Sequence, residues 1–125
     1  MFFHVMVGAI DLEASKVFYD ATLGTLGIPG KGQFRAEPKA YMYGDPATGI
    51  FFITNTIDGN PATHANGGTI MFSAKSKADV DAWYEAGLAN GGQHEDAPAP
   101  AGLPGATIAR LRDPTGNKIG VITFA

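Results

Sequence analysis

The chain opens with an apolar run over residues 2–10, which predicts a strand. Asp11 follows as a helix N-cap, with Glu13 in the first turn, where the helix dipole favours an anion. Ala14, Val17, Phe18 and Ala21 fall at i, i+3, i+4 and i+7, the spacing of one helix face. Gly24 and Gly27 end that helix, and Gly30 and Gly32 extend the loop after it. Residues 40–43 and 50–56 read as strands. They are joined by a turn at 45–49, in which Pro46 presets φ and Gly49 is free to take a positive one. A second series then begins with a strand at 69–75. Ser76 caps the next helix, and Asp79 three residues on completes a capping-box-like pair. Val80, Trp83, Gly87 and Leu88 make its buried stripe, and Asn90, Gly91 and Gly92 stop it. A Pro/Gly loop over 97–105 leads to a hairpin of 107–112 and 118–124 around Asp113-Pro114-Thr115-Gly116.

The two series are one pattern written twice. A shift of 65 residues lays His4-Val5-Met6-Val7-Gly8-Ala9 over Thr69-Ile70-Met71-Phe72-Ser73-Ala74, and Phe18-Tyr19-Asp20 over Trp83-Tyr84-Glu85. Asp45-Pro46-Ala47-Thr48-Gly49 echoes Asp113-Pro114-Thr115-Gly116 with one extra residue. Three matches in one order indicate duplication of a unit of roughly 60 residues. Each unit is βαβββ, counting a weak strand after the helix. The modules span about 1–57 and 67–125, with a linker at about 58–66 rich in Gly, Asn and Pro. One unit alone leaves a face of its sheet uncovered, so two must cooperate in an α+β fold.

Composition narrows the function classes. With 125 residues, the chain suits one domain. Cysteine is absent, which excludes disulfides, thiolate metal sites and cysteine nucleophiles. The formal charge is −3, from 9 Lys+Arg against 12 Asp+Glu, so no basic excess attracts phosphate backbones and no nucleic-acid partner is expected. No apolar run approaches the ~20 residues of a membrane span. The N-terminus lacks a basic leader and a cleavage signal, so a cytoplasmic protein is expected. Phosphate-loop, dinucleotide-binding, HExxH and GxSxG patterns are all missing.

A His4-bearing first strand, the Asp11…Phe18-Tyr19 helix and the run Arg112-Asp113-Pro114-Thr115-Gly116-Asn117-Lys118-Ile119 together resemble the vicinal oxygen chelate superfamily of glyoxalases, bleomycin- and fosfomycin-resistance proteins and extradiol dioxygenases. The resemblance covers nearly the whole chain. It implies a small-molecule cleft between two mixed, curved half-sheets, often formed across a homodimer. It fixes no reaction, because the group holds isomerases, dioxygenases, transferases and pure binders.

The resemblance also implies four metal-ligand positions, on the first and last strand of each half. They fall on His4, on Phe52 or Ile53, on Thr69 and on Gly120. Only His4 is a competent ligand, so no metal and no cofactor are expected there. His64 and His94 read as solvated loop residues, and Arg112 and Lys118 as solvated flanks of the turn. Strand alternation turns Met6 and Gly8 inward with His4, and Met71 and Ser73 inward with Thr69. The last hairpin sets Arg110 opposite Gly120, where a guanidinium could hold a carboxylate, a phosphate or an enolate oxygen. The substrate-binding candidates are therefore His4, Met6, Phe52, Thr69, Met71, Arg110 and Gly120. Two functions remain: a metal-free binder of a small apolar or anionic molecule, or a glyoxalase- or lyase-type enzyme that uses His4 or a variant metal site.

Overall fold

The computed structural model describes residues 1–125. The first module holds β1 (His4–Gly8), α1 (Leu12–Thr25), β2 (Gly30–Ala36), β3 (Lys39–Asp45) and β4 (Gly49–Thr54). The second holds β5 (Ile70–Ser73), α2 (Lys77–Ala89), β6 (Gln93–Pro100), β7 (Thr107–Arg112) and β8 (Lys118–Thr123). Each module forms one four-stranded mixed sheet, ordered β1-β4-β3-β2 and β5-β8-β7-β6. In each, the first strand runs parallel to the last and the other pairs are antiparallel. The duplicated α+β plan read from the sequence is the plan of the fold.

The weak strand counted after the helix in each unit falls on a segment that reads partly as loop. Gly30–Ala36 and Gln93–Pro100 are the outer strands of the two sheets. Both pair with register shifts, and both are mostly exposed. An edge strand needs only backbone partners on one side, so its glycines and prolines hid it from a hydrophobic reading.

The helices begin where their caps predict. Asp11 Oδ1 accepts from Ala14 N at 3.0 Å, and Ser76 Oγ from Asp79 N at 3.1 Å. The buried face of α1 is not the apolar stripe the spacing suggested. It consists of Leu12, Ser15, Phe18, Tyr19, Thr22 and Leu23, while Val17 is 55% exposed. Two small polar residues sit in the buried stripe, and Thr22 donates to Phe18 O at 2.9 Å within the helix. On α2, Val80, Trp83 and Gly87 are buried as expected, whereas Leu88 is 39% exposed. Gly87 lies where α2 meets α1 and β7. A Cβ there would overlap Leu111 and press on Phe18 and Thr22 at 3.2 and 3.3 Å.

Both helices and the helix-side faces of both sheets share one core. Phe18, Tyr19, Trp83, Phe51, Leu111 and Val121 belong to it, and Phe51 meets Phe72 of the other sheet edge-on at 5.3 Å. The β7–β8 turn locks the modules together. Asp113 is 3% exposed. Its carboxylate accepts from Thr115 N, Asn117 N and Asn117 Nδ2, each at 2.9 Å, and from Tyr19 Oη at 2.6 Å. Thr115 Oγ1 accepts from Ile10 N at 2.9 Å, and Asn117 Nδ2 also donates to Gly8 O at 3.2 Å. Arg112 is not a solvated flank: its Nε donates to Glu95 and its Nη1 to Gly116 O, bracing the same turn. The matching β3–β4 turn is built only on itself. Asp45 Oδ1 accepts from Ala47 N and Thr48 N at 2.8 and 3.1 Å.

Removing Asp113 leaves buried donors without partners, each costing about 1–3 kcal/mol. Asp113→Ala is expected to lower unfolding free energy by about 3 kcal/mol or more, and Asp45→Ala by about 1 kcal/mol or less. Denaturant titration at unchanged slope reads the difference, and equal losses would contradict it.

Burial, with the hydrogen bond to Asp113, holds the Tyr19 phenol well above its usual pKa. Burial and the bond to Asp20 do the same for Tyr43. The fold favours the neutral form of both. Their contribution is complete below the unfolded-state pKa of about 10 and is lost as pH rises above it. Alkaline titration is expected to give the phenolate absorbance of these two residues only together with loss of circular dichroism. Their ionisation in a chain that stays folded would contradict this.

Candidate functional site

Alternation along the strands fixes which side chains face away from the core. Val5 and Val7 pack inward, so His4, Met6 and Gly8 lie on the open face of the first sheet. Met6 stands beside Phe52 in the β1–β4 register. On that face a row of rings runs from Phe3 through His4 and Phe52 to Phe34, with centroids 6.0, 5.2 and 4.6 Å apart. Phe34 reaches Phe52 from the irregular β2 and is itself half exposed. Phe52 is only 5% exposed beneath its neighbours.

The register also settles which residue matches Gly120. Met6 pairs with Phe52 as Met71 pairs with Gly120, so Phe52 is the equivalent position and Ile53 is core. On the second sheet, Met71, Arg110 and Gly120 form one cluster. A Cβ on Gly120 would overlap Met71 Sδ, lie 2.8 Å from Ala109 O and 3.1 Å from Arg110 Cγ. The space a ligating side chain would need is thus filled by methionine and backbone. Thr69 is exposed and ends one residue before β5 begins.

Arg110 does stand opposite Gly120. Its Nη1 donates to Asp96 on β6 at 2.9 Å, an acid hidden from the sequence reading because β6 was taken partly for loop. His94 is likewise on β6, hydrogen-bonded through Nδ1 to Tyr84 Oη at 2.8 Å, and is not a free loop residue. The guanidinium without a carboxylate partner is one the sequence did not single out. Arg35 on β2 donates from Nε to Pro38 O at 2.8 Å and from Nη2 to Thr54 Oγ1 at 2.9 Å. It borders a recess of about 610 Å³ with Met6, Gly8, Thr54 and Asn60. The signal that could have found it is the alternation of β2, had that strand been recognised.

Six of the seven candidates therefore divide between the open faces of two sheets, and Thr69 lies just outside β5. His4, Met6 and Phe52 gather on the first, and Met71, Arg110 and Gly120 on the second. Of these, His4 and Met71 border a second opening, of about 530 Å³. The ligand set implied by the resemblance does not fit a metal ion: of His4, Phe52, Thr69 and Gly120, only His4 has a coordinating nitrogen. Nowhere do three or more His, Cys, Asp or Glu side chains come together in a way that could hold one.

No curated protein matches the chain in sequence. Among solved structures, it is similar to a glyoxalase/bleomycin resistance protein from Albidiferax ferrireducens T118, at 51% identity and TM-score 0.86, covering 98% of this chain and 97% of that one. It is also similar to a glyoxalase-related enzyme from Fulvimarina pelagi, at 19% identity and TM-score 0.75, covering 98% and 86%. Glyoxalase I from Zea mays matches at 21% identity and TM-score 0.69, and this chain covers 98% of itself but only 45% of the maize protein. The last two likenesses concern the fold alone. The family model described as Glyoxalase/Bleomycin resistance protein/Dioxygenase superfamily matches residues 2–121. This chain belongs to that superfamily.

Proposed function

We propose that this protein binds a small apolar or anionic molecule on the open face of its first sheet, without the metal site of its superfamily. The observation that carries the reading is a ring-lined apolar surface with Met6 on the same face, beside a recess that Met6 shares with Arg35, a guanidinium without an acid partner. Phe34, Phe52 and His4 offer a flat aromatic wall. Arg35, held in place by Pro38 O and Thr54 Oγ1, keeps donors for a carboxylate or phosphate. Small-molecule sites combine such walls with few polar anchors. His4 offers an imidazole as a hydrogen-bonding group beside the rings. No orienting carboxylate contacts it, which weighs against an enzymatic base. Arg110, neutralised by Asp96, is a weaker anion anchor than the sequence implied.

The site is completed by a second copy of the chain. Each sheet has its helix side in the common core, and of the two outer faces the one bearing Met6 is covered by the same chain only in part, where Ala62 of the linker packs against Gly8. Phe2, Phe3, Phe34 and Phe124 are more than half exposed. An apolar surface of that kind marks an interaction site, and the duplicated modules suit a homodimer. No helix of the chain is long and apolar enough to cross a membrane.

Metal analysis of the purified protein is expected to find no stoichiometric divalent ion. Titration with 1-naphthoate is expected to show binding that Arg35→Ala weakens about tenfold, the loss of a charge-assisted hydrogen bond. A stoichiometric divalent ion lost on His4→Ala would overturn the reading, as would 1-naphthoate binding indifferent to Arg35. Sedimentation at micromolar concentration is expected to give a dimer, and Phe34→Asp is expected to shift it toward monomer. A monomer at every concentration would contradict the assembly.

A further inference from the structure

The duplicated modules close the two ends of their shared core differently. At one end, Asp113, Thr115 and Asn117 tie the β7–β8 turn to Ile10, Gly8 and Tyr19. The 65-residue shift lays Ile10 on Lys75 and Tyr19 on Tyr84, and the Asp-Pro turns match Asp45 with Asp113. At the other end, none of the corresponding bonds forms. Asp45 Oδ1 is taken up by its own turn, lengthened by Ala47. Tyr84 Oη bonds His94 instead. The chain's ion pairs are Lys16–Asp20, Lys39–Glu13, Arg110–Asp96 and Arg112–Glu95, so Lys75 is left without an acid.

What stands there is a cleft of about 530 Å³, within the range of small-molecule sites. It lies on the helix side of the first sheet, against the core residues Tyr43 and Phe51, with Phe72 of β5 across from them. Phe2, Phe3, Ile28 and Pro29 extend its apolar wall. Thr48, Ser73, Asp45 and Lys75 supply its polar groups, and His4 borders it.

We propose that this cleft is a second binding site, for a small molecule with an apolar body and an anionic head. The apolar body fills the space left by the missing turn network, and the head meets the Lys75 ammonium. Asp45 faces the same space with Oδ1 already holding Ala47 N and Thr48 N, and acts as turn scaffold. The cleft adjoins the ring-lined face proposed above at Phe3 and His4, but its anchor, Lys75, is not part of that face, so the two readings are tested by different residues.

The probe is 8-anilinonaphthalene-1-sulfonate, an aromatic body with a sulfonate head. It is titrated into the full chain carrying Arg35→Ala, which removes the anchor of the sheet face. One equivalent is expected to bind, more weakly as salt is raised. Lys75→Glu is expected to weaken it about fivefold, the scale of an exposed ion pair. Thr48→Trp, at an exposed turn position, is expected to block it by filling the cleft. Unchanged thermal unfolding of both variants shows that they fold. Absence of binding, or binding that survives both substitutions, would overturn the proposal. Failure of the sheet-face site would appear instead in the 1-naphthoate titration and leave this result untouched.

Discussion

A single buried carboxylate holds the two halves of this protein in register. Asp113 gathers the amides of its own turn and the Tyr19 hydroxyl of the other module into one dry cluster. A buried charge is tolerated only when its lone pairs are met, and here they are met by groups from both modules. Through Thr115 and Asn117 the same cluster fixes the end of β1, and hence the direction in which His4 and Met6 project. The geometry of the open face is a consequence of that lock.

Duplication left each module with an equivalent turn, and only one turn became a lock. The difference is local: one added residue, a Tyr84 drawn away to His94, and a lysine where the first module has Ile10. An end of the core that is closed by hydrogen bonds in one half is open in the other. A repeat can thus yield a rigid joint and a cleft from the same starting plan, because a buried polar network is worth forming only when every member is satisfied.

The duplicated plan was legible because buried strands and capped helices leave strong patterns: the runs at β1 and β5, Asp11 and Ser76 as caps, and the two Asp-Pro turns. The outer strands β2 and β6 were counted as one weak strand per unit but their positions were not legible, since backbone pairing at an edge needs no apolar side chains. That loss carried over to the site. Arg35 lies on β2 and Asp96 on β6, so the sequence offered Arg110 as the free guanidinium when its partner was hidden. The buried face of α1 was missed for a related reason: Ser15 and Thr22 are small enough to be buried without being apolar. The sequence had left Phe52 and Ile53 open for one position, and the register of β4 aligns Phe52 with Gly120.

Gly120 shows why the ligand set cannot be rescued by a nearby side chain: Met71 and the Ala109 carbonyl occupy the volume a coordinating group would need. What remains is an apolar surface with one imidazole and one guanidinium without an acid partner. Native mass spectrometry of the intact protein, compared with its denatured mass, tests this most directly. The account predicts that any mass released on denaturation is that of a small organic molecule. Release of one divalent metal ion per chain would contradict it.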